Sequence, residues 1–218
     1  QTCALPILCL DRGGLVGEDG VTHHGVFDMA AFGAVPGLTI AAPMNEPELR
    51  NMMYTALGSG HPFMIRYPRG HGEGLPWRGE KFETLPVGRG RRLREGADVA
   101  LLTVGTVGNA AARAAGRAAA EGVSVAHYDL RFVKPLDEAL LDEVGRKFRR
   151  VVTVEDGSLR GGVGEAVAAF FNGRGYDVRV QRLGIGDEWV EHGTPGQLYA
   201  LCGYDEEGIL RALLDTRA

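Results

Sequence analysis

The side chains best suited to chemistry lie in a glycine-rich stretch near the start of the chain. Residues 11–28 contain Arg12, Asp19, His23 and His24 among five glycines, and an apolar run precedes them. Arginine binds phosphate and carboxylate groups, and an imidazole near a carboxylate can transfer protons. Because open α/β sheets place such side chains in loops after their strands, we predict a ligand-binding loop here.

A second arginine, Arg69, follows an apolar segment that ends at Tyr67 and Pro68. If the segments before Arg12 and Arg69 are parallel strands, both arginines lie at the same edge of the sheet. Two guanidinium groups there could bind one phosphate or carboxylate, and the proline stiffens the turn that carries Arg69. The alternative is that both arginines form ordinary surface ion pairs.

Asp19 and one of the two adjacent histidines are candidates for proton transfer or for binding a carboxylate substrate. Neighbouring side chains seldom point the same way, so we expect only one of His23 and His24 to be functional. The alternative is that a histidine caps the next helix or bonds a buried carbonyl. Their spacing from Asp19 matches no recognised set of metal ligands, so no metal site is predicted.

Two polar turns later in the chain have simpler structural explanations. The glycines of 161–164 resemble a phosphate-binding turn, but GxGxxG and Lys-Ser/Thr are absent, and a close strand-to-helix turn accounts for them. Glu155 and Asp156 suit the positive end of the following helix. The chain also has no P-loop, no nucleophile elbow and no Gly-Asp-Gly metal–diphosphate motif.

Composition excludes several classes of protein. A net charge of −4 gives no basic surface for nucleic acid, and no apolar run approaches the roughly 20 residues of a membrane span. Cys3, Cys9 and Cys202 are isolated, which argues against a zinc site and for a reducing compartment. We therefore expect a cytoplasmic protein that binds neither nucleic acid nor membrane.

Two blocks of alternating strands and helices predict an α/β protein with parallel sheets. We expect a first unit over 8–70, a polar glycine-rich linker over 71–96 and a doubly wound second domain over 97–218. Residues 1–7 can be encoded by a common sequencing-adapter string, so we predict a non-native leader there, the alternative being a genuine buried strand. The abrupt start at a strand suggests the tail of a longer protein.

Motifs across both blocks resemble the 1-deoxy-D-xylulose-5-phosphate synthase family. The resemblance covers residues 8–218 and is carried, in order, by residues 11–28, 65–70, 131–137, 154–157 and 183–193. It implies part of a transketolase-like pyrimidine-binding domain, followed by a transketolase C-terminal-like domain. It also implies a homodimeric, thiamine-diphosphate- and Mg²⁺-dependent transferase that condenses pyruvate with glyceraldehyde 3-phosphate for isoprenoid, thiamine and pyridoxal phosphate synthesis.

The resemblance assigns roles to four residues. Arg12 and Arg69 match arginines that bind the phosphate of the aldehyde substrate. Asp19 and His23 match positions that bind the pyruvate-derived adduct and move protons. The residues that bind the cofactor diphosphate and the metal have no match in this chain, so the chain alone is expected to be inactive.

Two other hypotheses remain open. The chain could be a β-type subunit of a 2-oxo-acid dehydrogenase, although such a subunit would keep a whole pyrimidine-binding domain. It could instead be a non-catalytic, transketolase-C-like assembly module, although such a module has no reason to keep Arg12, Asp19, His23 and Arg69 together. The sequence upstream in the reading frame would discriminate among the three.

Overall fold

The computed structural model describes residues 5–215, which form two sheets with flanking helices. The strands are β1 Ile7–Leu10, β2 Thr39–Ala41, β3 Phe63–Arg66, β4 Arg91–Arg94, β5 Val99–Val104, β6 Val125–Asp129, β7 Phe132–Lys134, β8 Arg150–Ser158 and β9 Arg179–Ile185. The helices are α1 Asp28–Gly33, α2 Glu46–Gly58, α3 Val107–Ala120, α4 Glu138–Lys147, α5 Val163–Gly173, α6 Pro195–Leu201 and α7 Glu206–Leu214. The predicted α/β architecture is confirmed. Residues 1–4, within the predicted leader, lie outside the described residues.

The first sheet has the strand order β1-β3-β2-β7. Strands β1 and β2 both pair with β3 in parallel, as predicted, so the loops after them leave the sheet at one edge. Strand β7 comes from the second block and pairs antiparallel with β2. Its Phe132 is fully buried and packs edge-on against Phe63 of β3, with ring centroids 6.3 Å apart. The two blocks therefore share a sheet, which the sequence did not predict.

The second sheet has the order β4-β6-β5-β8-β9 and is parallel except at β4. Alternate residues of β5 face opposite layers, as expected for a doubly wound domain. Val99 and Leu101 pack with α3 and α7, whereas Ala100 and Leu102 pack with α4 and α5. Strand β4 lies inside the predicted linker, 71–96, so the last residues of that segment belong to the second sheet.

Helix α2 is capped at its N-terminus by Asn45, without a capping box. The Asn45 side chain accepts a hydrogen bond from the Glu48 backbone N–H, at 3.1 Å. A capping box would return the Glu48 side chain to Asn45. Glu48 is only 4% exposed, and its carboxylate instead accepts from Nε and Nη2 of Arg131, at 2.8 and 2.9 Å. Glu48, in the first turn of α2, thus ties the first block to the second.

His127 of β6 is a buried titratable group in the second domain. Its ring is 1% exposed, and Nε2 lies 2.9 Å from the Thr103 hydroxyl. Burial, reinforced by the charges of Arg91 and Arg94, lowers the pKa of His127 to about 4. The folded protein therefore disfavours the protonated ring much more than the unfolded chain does.

We predict that His127 makes the protein less stable in mild acid. The pKa of His127 is lower in the folded protein than in the unfolded chain. Its contribution to the free energy of unfolding is therefore complete above the unfolded pKa. It is lost as the pH falls from the unfolded pKa to the folded pKa. Between about pH 7.5 and about pH 5 the wild type should lose about 2 kcal/mol more unfolding free energy than His127→Gln. Urea titrations at the two pH values measure this difference, and His61→Gln, which changes an exposed histidine, should keep the wild-type pH dependence. Equal pH dependence in wild type and His127→Gln would contradict the prediction.

Candidate active site

The glycine-rich loop begins beside the end of β3. The Gly13 N–H donates to the Tyr67 carbonyl at 2.9 Å, and Arg12 takes a left-handed backbone conformation, with φ of 59°. Gly14 and Gly25 exchange two backbone hydrogen bonds, of 2.8 and 2.9 Å, which close the neck of the loop. Arg12 and the segment after β3 are thereby fixed at the same edge of the first sheet, as the sequence predicts.

The structure brings Arg69 and Asp19 into direct contact. Nη1 of Arg69 pairs with the Asp19 carboxylate, and both side chains are partly exposed. Arg12 pairs with its neighbour Asp11 at 2.9 Å, and its buried Nε has no hydrogen-bond partner. Surface ion pairing, the alternative considered from sequence, is thus present at both arginines. Each guanidinium carries five N–H donors, more than its contact with one carboxylate uses.

The two histidines have different environments. His24 uses both ring nitrogens within the fold: Nδ1 accepts from the Val16 N–H at 3.1 Å, so Nε2 carries the proton and donates to the Val190 carbonyl, also at 3.1 Å. His23 has an exposed ring whose Nδ1 lies 3.0 Å from the Thr22 hydroxyl. His24 therefore matches the structural alternative, whereas His23 is left accessible to a ligand.

The loop is packed against the second domain, which sequence reasoning did not anticipate. Leu15 and Val26 are buried in the same core cluster as α3 and α7. The Ser158 N–H donates to the Val26 carbonyl at 2.8 Å, at the end of β8. The Gly17 carbonyl accepts from the Gly193 N–H at 3.4 Å. The loop that carries the predicted site residues thus packs directly on the second domain.

Asp156 is the buried acid at this contact. Its Oδ1 accepts from the Leu15 N–H at 3.0 Å and from the Tyr204 hydroxyl at 2.8 Å, and its Oδ2 accepts from the Tyr199 hydroxyl at 3.2 Å. Burial raises the pKa of Asp156, an effect that the nearby Arg66 charge and these three donors oppose. Burial and the adjacent Asp156 also raise the pKa values of Tyr199 and Tyr204, so both hydroxyls remain donors.

Arg66 connects the same region to the first sheet. It is 4% exposed; its Nε donates to Asp28 at 2.6 Å, and its Nη2 donates to the carbonyls of Gly25 and Asp156, at 3.2 and 3.0 Å. The guanidinium therefore joins the start of α1, the end of the loop and β8 at one point. Sequence analysis gave no role to Arg66; a charged residue at the end of an apolar strand was the available signal.

The interpretation of Glu155 and Asp156 as helix N-terminal acids is right for Glu155 and wrong for Asp156. The Glu155 carboxylate accepts from the N–H groups of Val163 and Gly164, at 2.7 and 2.8 Å, which begins α5. Burial raises its pKa to about 7, although these hydrogen bonds oppose the shift. An added Cβ at Gly164 would overlap Thr153, so close packing explains this glycine, as predicted.

A cavity of about 720 Å³ opens beside the site. It lies between the segments after β2 and β3 on one side and helices α3, α6 and α7 on the other. Arg69 lines it, as do Tyr199 and Tyr204, whose hydroxyls bond Asp156. Arg12, Asp19 and His23 are not among its lining residues, so the predicted site and the cavity meet only at Arg69.

Residues 5–215 contain neither a cluster of metal-ligating side chains nor a membrane-spanning helix. No group of three or more His, Cys, Asp or Glu side chains in that range is placed to hold a metal ion. Within the same range, no helix has both the length and the apolar character needed to cross a membrane.

Comparisons with known proteins agree with the fold. The family model for the transketolase C-terminal domain matches residues 88–209, and the model for the transketolase pyrimidine-binding domain matches residues 2–73. A solved structure of a split-gene transketolase, in an inactive β4 tetramer, is 28% identical with a TM-score of 0.84. That match covers 95% of this chain and 65% of the other.

Curated relatives named 1-deoxy-D-xylulose-5-phosphate synthase match almost the whole chain. The protein from Bacteroides fragilis is 56% identical over 97% of this chain, and the one from Bacteroides thetaiotaomicron is 55% identical over 95%. The relative from Symbiobacterium thermophilum is 46% identical over 94%. The chain spans about a third of the length of each. By sequence and by fold, the chain belongs to the transketolase family and contains sequence of its pyrimidine-binding and C-terminal domains.

Proposed function

We propose that the chain is the carboxyl-terminal part of a 1-deoxy-D-xylulose-5-phosphate synthase. This enzyme would decarboxylate pyruvate and join the two-carbon unit to glyceraldehyde 3-phosphate. The observation that carries the proposal is the 46–56% identity to proteins of that name along nearly the whole chain. The shared edge that places Arg12 beside the end of β3, and Arg69 against Asp19, supports it.

Arg12 and Arg69 would bind the phosphate of the aldehyde. Both follow parallel strands of the first sheet, and both side chains are nearly half exposed. A dianionic phosphate accepts several charge-assisted hydrogen bonds, for which guanidinium groups are well shaped. In this proposal Asp19 orients Arg69 through their ion pair before the substrate arrives.

Asp19 and His23 would act on the pyruvate-derived part of the substrate. His23 is the accessible histidine of the pair, and an imidazole can deliver or accept a proton near neutral pH. Asp19 lies in the same loop and is partly exposed, so it can accept a hydrogen bond from a substrate hydroxyl. The role of His23 then is proton transfer, and that of Asp19 is orientation.

Thiamine diphosphate would supply the carbanion chemistry in the full-length enzyme. The described residues offer no set of metal ligands for the Mg²⁺ that would accompany it, and no residue of this chain is assigned to its diphosphate. From the family resemblance, we propose that the residues that bind the diphosphate and Mg²⁺ lie on other parts of the enzyme. The proposal includes a homodimer and a cytoplasmic location, the latter supported by the isolated cysteines.

We predict that Arg69→Ala in the full-length enzyme weakens use of the phosphorylated aldehyde. Losing a charge-assisted hydrogen bond should raise KM for glyceraldehyde 3-phosphate about 10- to 100-fold. KM for pyruvate should change little, because pyruvate has no phosphate. Steady-state kinetics with each substrate varied in turn measure both values.

Arg149→Ala is the matched control for this substitution. Arg149 is an exposed arginine, 3.7 Å from Asp177, in the second domain. Its replacement should leave both KM values unchanged. An equal rise in both KM values for Arg69→Ala, or no rise at all, would contradict the phosphate-binding role.

We also predict that the 218-residue chain alone is inactive. Because no residue in it is assigned to the cofactor diphosphate or metal, isothermal titration calorimetry with thiamine diphosphate and Mg²⁺ should show no binding. The full-length enzyme provides the positive control. Measured turnover of pyruvate and glyceraldehyde 3-phosphate by the isolated chain would overturn the claim that the rest of the enzyme is essential.

A further inference from the structure

The substrate loop, residues 11–28, is closed at its neck by the two Gly14–Gly25 hydrogen bonds and by the bond from the Val16 N–H to His24. Turns at Gly17–Gly20 and Gly20–His23 are closed by single backbone hydrogen bonds, of 3.1 and 3.0 Å. The side chains that would act on substrate, Arg12, Asp19 and His23, are all exposed or partly exposed. Contacts between the buried loop residues and the second domain add to these internal hydrogen bonds.

Asp156 contacts the loop at its most buried point. Leu15 is 1% exposed, and its N–H donates to a carboxylate on a residue that is itself 4% exposed. A buried N–H without an acceptor costs about 1–3 kcal/mol, so this hydrogen bond strongly favours one position of the backbone at Leu15. Leu15 lies three residues from Arg12 and four from Asp19.

Two tyrosines fix the carboxylate in turn. Tyr204 donates to Oδ1 and Tyr199 donates to Oδ2, and the two rings pack together with centroids 5.2 Å apart. Both hydroxyls bond Asp156, and it is through this carboxylate that their hydrogen bonds reach the loop. A carboxylate that accepts on both oxygens cannot rotate without losing a partner.

The approach of the loop to this carboxylate also depends on Gly14. Its φ is +88°, a conformation that residues with side chains rarely adopt, and an added Cβ would overlap the carboxylate of Asp156. The loop backbone therefore lies directly against the acid, and the contact is part of the local conformation of the loop.

We propose that Asp156, oriented by Tyr199 and Tyr204, is a positioning residue of the second domain for the substrate loop. It touches no substrate. It fixes Leu15, and with it the placement of Arg12 and Asp19 on either side. This inference rests on the proposed function, and it assigns the second domain a part in substrate binding beyond packing.

The test uses Tyr199→Phe/Tyr204→Phe in the full-length enzyme, with Tyr176→Phe as matched control. The control removes a tyrosine hydroxyl of the same domain that bonds an aspartate, Asp142, at 2.8 Å, away from the loop. We expect the double variant to raise KM for glyceraldehyde 3-phosphate and to lower kcat/KM about tenfold. A tenfold change corresponds to the net free energy of about one hydrogen bond. Tyr176→Phe should change neither, at a comparable melting temperature.

Hydrogen exchange of the peptide over residues 11–28 gives a second readout that does not depend on activity. Exchange should be faster in the double variant and unchanged in Tyr176→Phe. Asp156→Asn, which keeps one acceptor for the Leu15 N–H, should retain more protection than Asp156→Ala. An effect confined to melting temperature, with wild-type exchange and kinetics, overturns the inference.

The two readouts also separate this inference from the proposed function. If the wild-type enzyme does not make 1-deoxy-D-xylulose 5-phosphate, the proposed function fails, and the exchange data alone decide whether Asp156 orders the loop. If the wild type is active and the double variant matches Tyr176→Phe in both exchange and KM, the positioning role fails while the function stands.

Discussion

The buried carboxylate of Asp156 is the interaction on which the arrangement of the site depends. Burying a carboxyl group away from water costs free energy unless its oxygens receive hydrogen-bond donors with good geometry. Here the donors come from Leu15 in the first block and from two tyrosines, Tyr199 and Tyr204, near the end of the second. Because these partners are far apart in sequence, they can all bond the carboxylate only when the two blocks are packed together as in the folded protein. The need of the Asp156 carboxylate for hydrogen-bond donors thus fixes the backbone of the substrate loop at Leu15.

A similar principle governs the rest of the junction between the two blocks. Glu48 accepts from Arg131 and also pairs with Arg91 at 2.9 Å, and Arg66 donates to Asp28 and to two carbonyls. Arginine–carboxylate pairs with fixed directions tolerate less sliding than an apolar contact of the same area, because a shifted guanidinium leaves buried donors unpaired. The apolar residues at the junction stabilise it by their burial, and these ion pairs fix the orientation of one block relative to the other.

The sequence predicts the longer elements because apolar patterns determine them, as in the alternating strands and helices of the second domain. It does not predict β4 or β7, since runs of three or four residues show no clear periodicity and their pairing depends on distant strands. The site is predicted in its parts but not in its contacts. The sequence indicates Arg69 and Asp19 as separate candidates, but their ion pair joins residues 50 positions apart and depends on the tertiary fold. Asp156 was interpreted from its neighbours in sequence, although its main loop partner is 141 residues away.

Strand β7 has a consequence for how the protein is made. Its partner, β2, leaves the ribosome some ninety residues before Phe132, the first residue of β7 (β2 ends at Ala41). Until β7 is synthesised, the hydrogen-bonding groups of β2 that it will cover are open, as on any unpaired strand edge. The first sheet therefore gains its last strand only after the second block has begun to emerge. A chain interrupted before residue 132 would leave the edge of β2 unpaired, and unpaired strand edges promote aggregation during translation.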